Sequence, residues 1–164
     1  MSQQLTLDCF AFVRGGSVLE RTVALSDLER LHDVLASQLG EVTYRLQGAR
    51  GERGQSQLRL HVRGNLALAC QRCLEAVDFE LNVDNLLEVV PEGIELSQEE
   101  LEDDTRDFLP VDGPLDVVAL VEDEILLALP VAPRHEKCGL PGDKSAGERI
   151  SPFSVLAGVK GKPN

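Results

Sequence analysis

The sequence has no tryptophan, one tyrosine and five phenylalanines in 164 residues. It therefore has little capacity to stack bases, which argues against sequence-specific RNA reading on aromatic platforms. Also missing is any apolar run approaching membrane length, and the start, Met-Ser-Gln-Gln-Leu-Thr-Leu-Asp, lacks the basic-then-apolar order of a secretory leader. The expectation is a cytoplasmic protein with no membrane partner. There is no glycine-rich phosphate loop before a helix, no nucleophile elbow, and no His paired with Ser or Asp at a characteristic spacing. Neither an enzyme nor a small-molecule substrate is expected.

What is present is a chain 43% hydrophobic, long enough for one real core and too short for two comfortable domains. Its formal net charge is -12, which would repel a polyanion if evenly spread. It is not evenly spread. From Glu41 to Arg72 there are six arginines against two glutamates, whereas from Leu74 to Glu124 there is one arginine, Arg106, against eighteen acids. Two readings stay open: solvated faces that cancel within the fold, or a segregated basic patch used on a partner.

The expected fold class is α+β, an antiparallel sheet packed by an N-terminal amphipathic helix and a C-terminal core helix. Leu5 to Val13 and Val18 to Leu25 read as extended segments around Gly15-Gly16. Ser26-Asp27-Leu28-Glu29 has the form of a capping box, and Leu28, Leu31, Val34, Leu35 and Leu39 follow at helical spacing before Gly40. Val42 to Leu46, Gln57 to Cys70 and Ala76 to Val90 alternate as strands, with a flexible basic loop at Gly48 to Gly54. After Pro91 an acidic stretch, near 92–112, predicts a mobile loop or frayed helix. Leu115 to Leu129 predicts a core helix ended by Pro130. Glu122, Asp123 and Glu124 are consecutive there, and helical neighbours point about 100 degrees apart, so they cannot form one acid/base site. Residues 1–138 are thus expected to form a single domain and 139–164 a flexible tail with a short capped helix at Ser151 to Leu156.

The strands on either side place Cys70-Gln71-Arg72-Cys73 at a hairpin tip. Two thiolates two residues apart on a tight turn can ligate one tetrahedral ion, and His135-Glu136-Lys137-Cys138 offers an imidazole and a thiolate at the same spacing. Cys70, Cys73, Cys138 and His135 suggest a structural zinc site tying the hairpin to the segment after the core helix. Plain thiols without metal remain an alternative. A thioredoxin-like redox pair is a weaker one, because a strand and not a helix follows the pair. If His135 is not a ligand, water, Cys9 or His61 is left to complete the shell; Cys9 otherwise reads as a core thiol.

Leu68-Ala-Cys-Gln-Arg-Cys-Leu-Glu75, then Phe79 and the acidic stretch, then Leu115 to Pro130, Pro133, His135 and Cys138, and finally Pro152-Phe-Ser-Val-Leu-Ala157 before the lysines, form an ordered series. It resembles the YceD family of large ribosomal RNA accumulation proteins, from Leu58 onward, with Val121 to Pro130 the most specific part. The resemblance implies a role in synthesis, processing or stability of 23S ribosomal RNA. It also implies metal binding and a capacity for nucleic-acid binding, with Cys70, Cys73 and Cys138 on the family's cysteine pattern. His135 as fourth ligand rests on spacing alone.

Two functional expectations follow. In the first, a non-catalytic assembly factor contacts 23S ribosomal RNA or its precursor through Arg59, Arg63 and Arg72, while its acidic segment faces large-subunit ribosomal proteins. In the second, an adaptor holds a basic ribosomal protein on its acidic surface and never touches RNA.

Overall fold

The computed structural model describes residues 5–140. The expected tail from 141 onward, including the helix at Ser151 to Leu156, lies outside the described residues. The α+β class is observed: a five-stranded sheet carries one buried face and one outward face. Its strands are β2 (Val18–Ala24), β3 (Glu41–Arg50), β4 (Ser56–Ala69), β5 (Ala76–Pro91) and β6 (Asp107–Val111), in spatial order β2-β3-β4-β5-β6. The β2 to β5 pairings are antiparallel, but β6 joins β5 in parallel, so the sheet is mixed at one edge. A separate two-stranded pair joins β1 (Thr6–Leu7) to β7 (Leu115–Asp116).

The alternation seen in the sequence sets which face each residue occupies. On β3, Val42, Tyr44 and Leu46 are buried between exposed neighbours; on β4, Leu58, Leu60 and Val62 are fully buried while Arg59 and Arg63 are exposed. Against the buried face pack α1 (Cys9–Arg14), α3 (Val117–Ala128) and the segment between β2 and β3, through Val13, Leu25, Leu28, Val117, Val121 and Ile125. α3 starts at Asp116, whose carboxylate accepts from the N–H groups of Val118 and Ala119. Gly48 allows α1 to sit close: a Cβ there would lie 2.8 Å from the Phe12 carbonyl oxygen and Val13 Cα.

Two local expectations are corrected. Residues Leu5 to Val13 are not one strand, because Asp8 caps a helix at Cys9, accepting from the Ala11 N–H at 2.9 Å. The amphipathic helix expected from Ser26 is absent. Two single-turn 3-10 helices, Leu25–Asp27 and Glu29–Leu31, take its place, without a side-chain cap. Leu25, Leu28 and Leu31 repeat every three residues, a spacing that a 3-10 turn buries as well as an α-helix does. The backbone beyond them is drawn into the sheet instead: Ala36 N–H donates to the Ala67 carbonyl, Ala69 N–H donates to that of Val34, and Leu35 bridges Leu68. Unlike these two, the acidic stretch does hold a short helix, one of the two forms expected of it, and it also holds an unexpected strand. There Ser97 and Glu100 form the reciprocal capping box of a short helix, α2 (Gln98–Leu101), and 107–111 is strand β6. Arg106 anchors this stretch by a two-pronged bond to the buried Glu88, at 3.0 and 2.6 Å, with its guanidinium over Phe108.

Candidate metal centre and outward sheet face

β4 and β5 are registered from Ser56↔Val89 to Ala69↔Ala76, and the connection between them carries Cys70 and Cys73. The turn closes with Cys70 N–H donating to the Glu75 carbonyl and Leu74 N–H donating to that of Cys70. Leu74 adopts φ 66, the left-handed region that favours glycine, and its side chain is exposed. The segment after α3 is stitched to this turn by two bonds: Gln71 N–H to the Pro133 carbonyl at 2.8 Å, and Arg72 Nη1 to the Cys138 carbonyl at 3.1 Å.

That stitching brings Cys70, Cys73, His135 and Cys138 together, with all four ligand atoms within 4.8 Å of one another. Cys70 Sγ lies 3.7 Å from Cys138 Sγ, and Cys73 Sγ lies 3.3 Å from His135 Nδ1. The S···S separation is far beyond a disulfide bond and close to the edge of about 3.8 Å that ligand sulfurs at 2.3 Å make around a tetrahedral ion. His135 Nε2 is 2.9 Å from the Ala76 carbonyl oxygen. A carbonyl only accepts, so Nε2 carries a proton, and in the neutral ring Nδ1, turned toward the sulfurs, keeps a lone pair that could ligate.

The Cys73 N–H outweighs burial and, with the Arg72 and His135 N–H groups, brings the Cys70 thiol down to about 5. Burial, followed by the neighbouring Cys70 and Cys73 sulfurs, pushes Cys138 up. The Cys70 sulfur and the Ala76 carbonyl hold His135 above its ordinary value. A cation placed among the sulfurs would favour their thiolate forms. The four donors are compatible with a metal site. Cys9 and His61, the other candidates for the fourth position, are elsewhere. Cys9 is buried in α1, its thiol pushed up to about 11 by burial, and His61 is on the outward face of β4.

The three candidate RNA-binding arginines are divided between two places. Arg72 belongs to the cysteine corner, its guanidinium held by the Cys138 carbonyl. Arg59 and Arg63 lie on the outward face with His61 between them. Register puts Glu20, Arg45, His61 and Asp84 in one row across four strands. Asp84 accepts from Arg59 Nε and Nη2 at 3.0 and 2.8 Å and lies 3.4 Å from His61 Nδ1; Arg45 and Glu20 are also 3.4 Å apart. The Arg59 guanidinium holds the Asp84 carboxyl below its usual range. Sequence reasoning missed Arg45, Glu20 and Asp84 as members of this face, because only the register aligns them.

Residues 58–160 match the family model described as Large ribosomal RNA subunit accumulation protein YceD. The chain belongs to the YceD family. A relative from Haemophilus influenzae, named Large ribosomal RNA subunit accumulation protein YceD, is 26% identical over 153 residues, covering 85% of this chain and 85% of that protein. No solved structure matches the chain. The family model spans β4, the cysteine turn, β5 and α3, so the corner built by Cys70, Cys73, His135 and Cys138 lies wholly inside the YceD match. The family is named for the accumulation of an RNA and not for a reaction. Among the described residues no helix is long and apolar enough to cross a membrane.

Proposed function

We propose that this chain is a non-catalytic, cytoplasmic ribosome-biogenesis factor that supports the synthesis, processing or stability of 23S ribosomal RNA, with a structural zinc ion held by Cys70, Cys73, His135 and Cys138. The observation that carries the reading is the family match over 58–160. Three sulfurs and one imidazole form a donor set that suits zinc, and the Ala76 carbonyl fixes the imidazole as an outer partner does in zinc sites. Zinc there locks the β4–β5 turn to the segment after α3. RNA contact falls to Arg59 and Arg63 on the outward face, with Arg72 beside the zinc corner. The test is ultraviolet cross-linking in living cells followed by sequencing of the attached RNA. Reproducible cross-links within 23S ribosomal RNA or its precursor are expected; background-level cross-linking overturns direct contact.

A second reading is favoured by the ion pairs themselves. Arg59 is bound to Asp84, Arg45 to Glu20 and Arg106 to Glu88, which leaves the acidic stretch from Glu92 to Asp107 as the larger uncompensated charge. In this reading the protein holds a basic large-subunit ribosomal protein on its acidic surface. Co-purification with such a protein would then survive nuclease and be lost when Glu99, Glu102, Asp103 and Asp104 are neutralised. Loss on nuclease treatment counts against it.

A further inference from the structure

The outward face of β4 has an internal feature that the arginines alone do not reveal. Successive outward residues on a strand are about 6.8 Å apart, so Arg59, His61 and Arg63 form an evenly spaced column, on the scale of the step between neighbouring phosphates of a nucleotide chain. Arg45 stands beside His61 on β3, and Glu20, Arg45, His61 and Arg63 line a shallow depression of about 370 Å³. Among the described residues Arg63 has no carboxylate within ion-pair distance. Asp84 presents two oxygens to Arg59 in a side-on, two-pronged geometry, and the same carboxylate reaches His61. A phosphodiester offers a guanidinium the same pair of acceptor oxygens. The side chains of Arg59 and Asp84 are 52% and 45% exposed, so exchange of one anion for the other requires no unpacking of the core.

We propose that Arg45, Arg59, His61 and Arg63 form a track for the phosphate backbone of a single RNA strand running along β4, and that Asp84 is an internal stand-in for one phosphate, displaced when RNA binds. This rests on the direct-contact reading above and deepens it. Apart from the His61 imidazole, the outward rows of this face carry no aromatic ring, so the track is built for backbone more than for bases. The protein's own carboxylate sets a threshold: a lone anion gains little by replacing it, whereas a chain of linked phosphates engages Arg63 and Arg45 in the same event.

The prediction has an unusual sign. Removing an acid from a -12 protein raises affinity for any polyanion slightly, but Asp84→Asn should do so far more than a charge change elsewhere. The experiment is a fluorescence-anisotropy titration of the full chain with a labelled, mixed-sequence single-stranded oligoribonucleotide at several salt concentrations. Asp84→Asn is expected to tighten binding about three- to tenfold, while Glu95→Gln, an exposed acid outside this face, leaves it nearly unchanged. Arg45→Ala with Arg63→Ala is expected to weaken binding about tenfold or more and to flatten the salt dependence by roughly 0.7 per lost phosphate contact. All four positions are exposed, and far-ultraviolet circular dichroism confirms that each variant is folded. If the oligonucleotide binds but none of these variants changes affinity, or if Glu95→Gln tightens as much as Asp84→Asn, the track is wrong while direct RNA contact stands. If the wild-type chain does not bind at all, the track and direct contact fall together.

Discussion

At the turn between β4 and β5 three thiols and an imidazole converge, while further along β4 Arg59 and His61 sit beside Asp84 and Arg63 faces solvent without an acid partner among the described residues. The two regions solve opposite electrostatic problems. In the cysteine corner like groups converge, three sulfurs and an imidazole within 4.8 Å, an arrangement compatible with a cation at its centre. On the outward face Arg45 and Arg59 already have their counter-charges in Glu20 and Asp84, so a ligand must compete for a place. If the proposed metal binds, the first region contributes to folding, whereas the exposed side chains of the second cost little to alter.

The sharpest break of the comparison exploits neighbours on opposite faces of β4. Leu60→Ala, at a fully buried position, is expected to lower stability by about 2–5 kcal/mol in a denaturant titration, whereas Arg59→Ala changes it by less than about 1 kcal/mol. Equal effects from the two would mean that the outward face bears structural load. Next in size is metal removal. Chelation is expected to destabilise the loaded protein by about 3 kcal/mol, several degrees in Tm, and Cys138→Ser to lower bound zinc per chain, while Cys9→Ala leaves that stoichiometry intact. Retention of full zinc by the Cys138 variant would remove the corner from the account.

Smaller again is the link between α3 and β5, where Glu124 accepts from Asn85 Nδ2 at 3.0 Å in a buried setting. Glu124→Ala is expected to cost about 1–3 kcal/mol, and Glu124→Gln much less, since an amide oxygen accepts the same bond. The least effect is expected from acid. Ser97 holds Glu100, and Thr105 holds Asp103, below their ordinary values of 4.5 and 3.8. Both are depressed in the fold, so the stability they contribute is full above those ordinary values and is lost as pH falls through the lower folded ones. Amide exchange over 97–106 should rise in that window, and Glu100→Gln should flatten the rise.

These magnitudes follow what the sequence made legible. Period-two alternation from Leu58 to Leu68 gave the buried face of β4 directly, and the two Cys/His spacings singled out the four groups that the fold brings together. The 26–39 segment was unreadable for a physical reason: burial of Leu25, Leu28 and Leu31 is satisfied by a 3-10 repeat, and backbone pairing with Ala67 and Ala69 decided against the helix. Asp8 capped α1 without the partner residue that makes a capping box recognisable. The parallel approach of β6 and the Arg59–Asp84 pair both depend on register between distant strands, which local pattern does not carry. Likewise the capping box at Ser97 was hidden in a stretch whose acidity suggested disorder, because the anchor that holds it, Glu88, lies on another strand.

The order in which the chain is made adds one consequence to the stitching of Cys138 onto the β4–β5 turn. Synthesis adds about 5–20 residues per second, and Cys138 follows Cys73 only after β5, β6 and α3 have been added. A nascent chain therefore carries two of the four candidate ligands for seconds before the others are added. By the time the corner closes, every strand of the sheet has left the peptidyl-transferase centre. Closure of that corner thus waits until all seven strands among the described residues have been made.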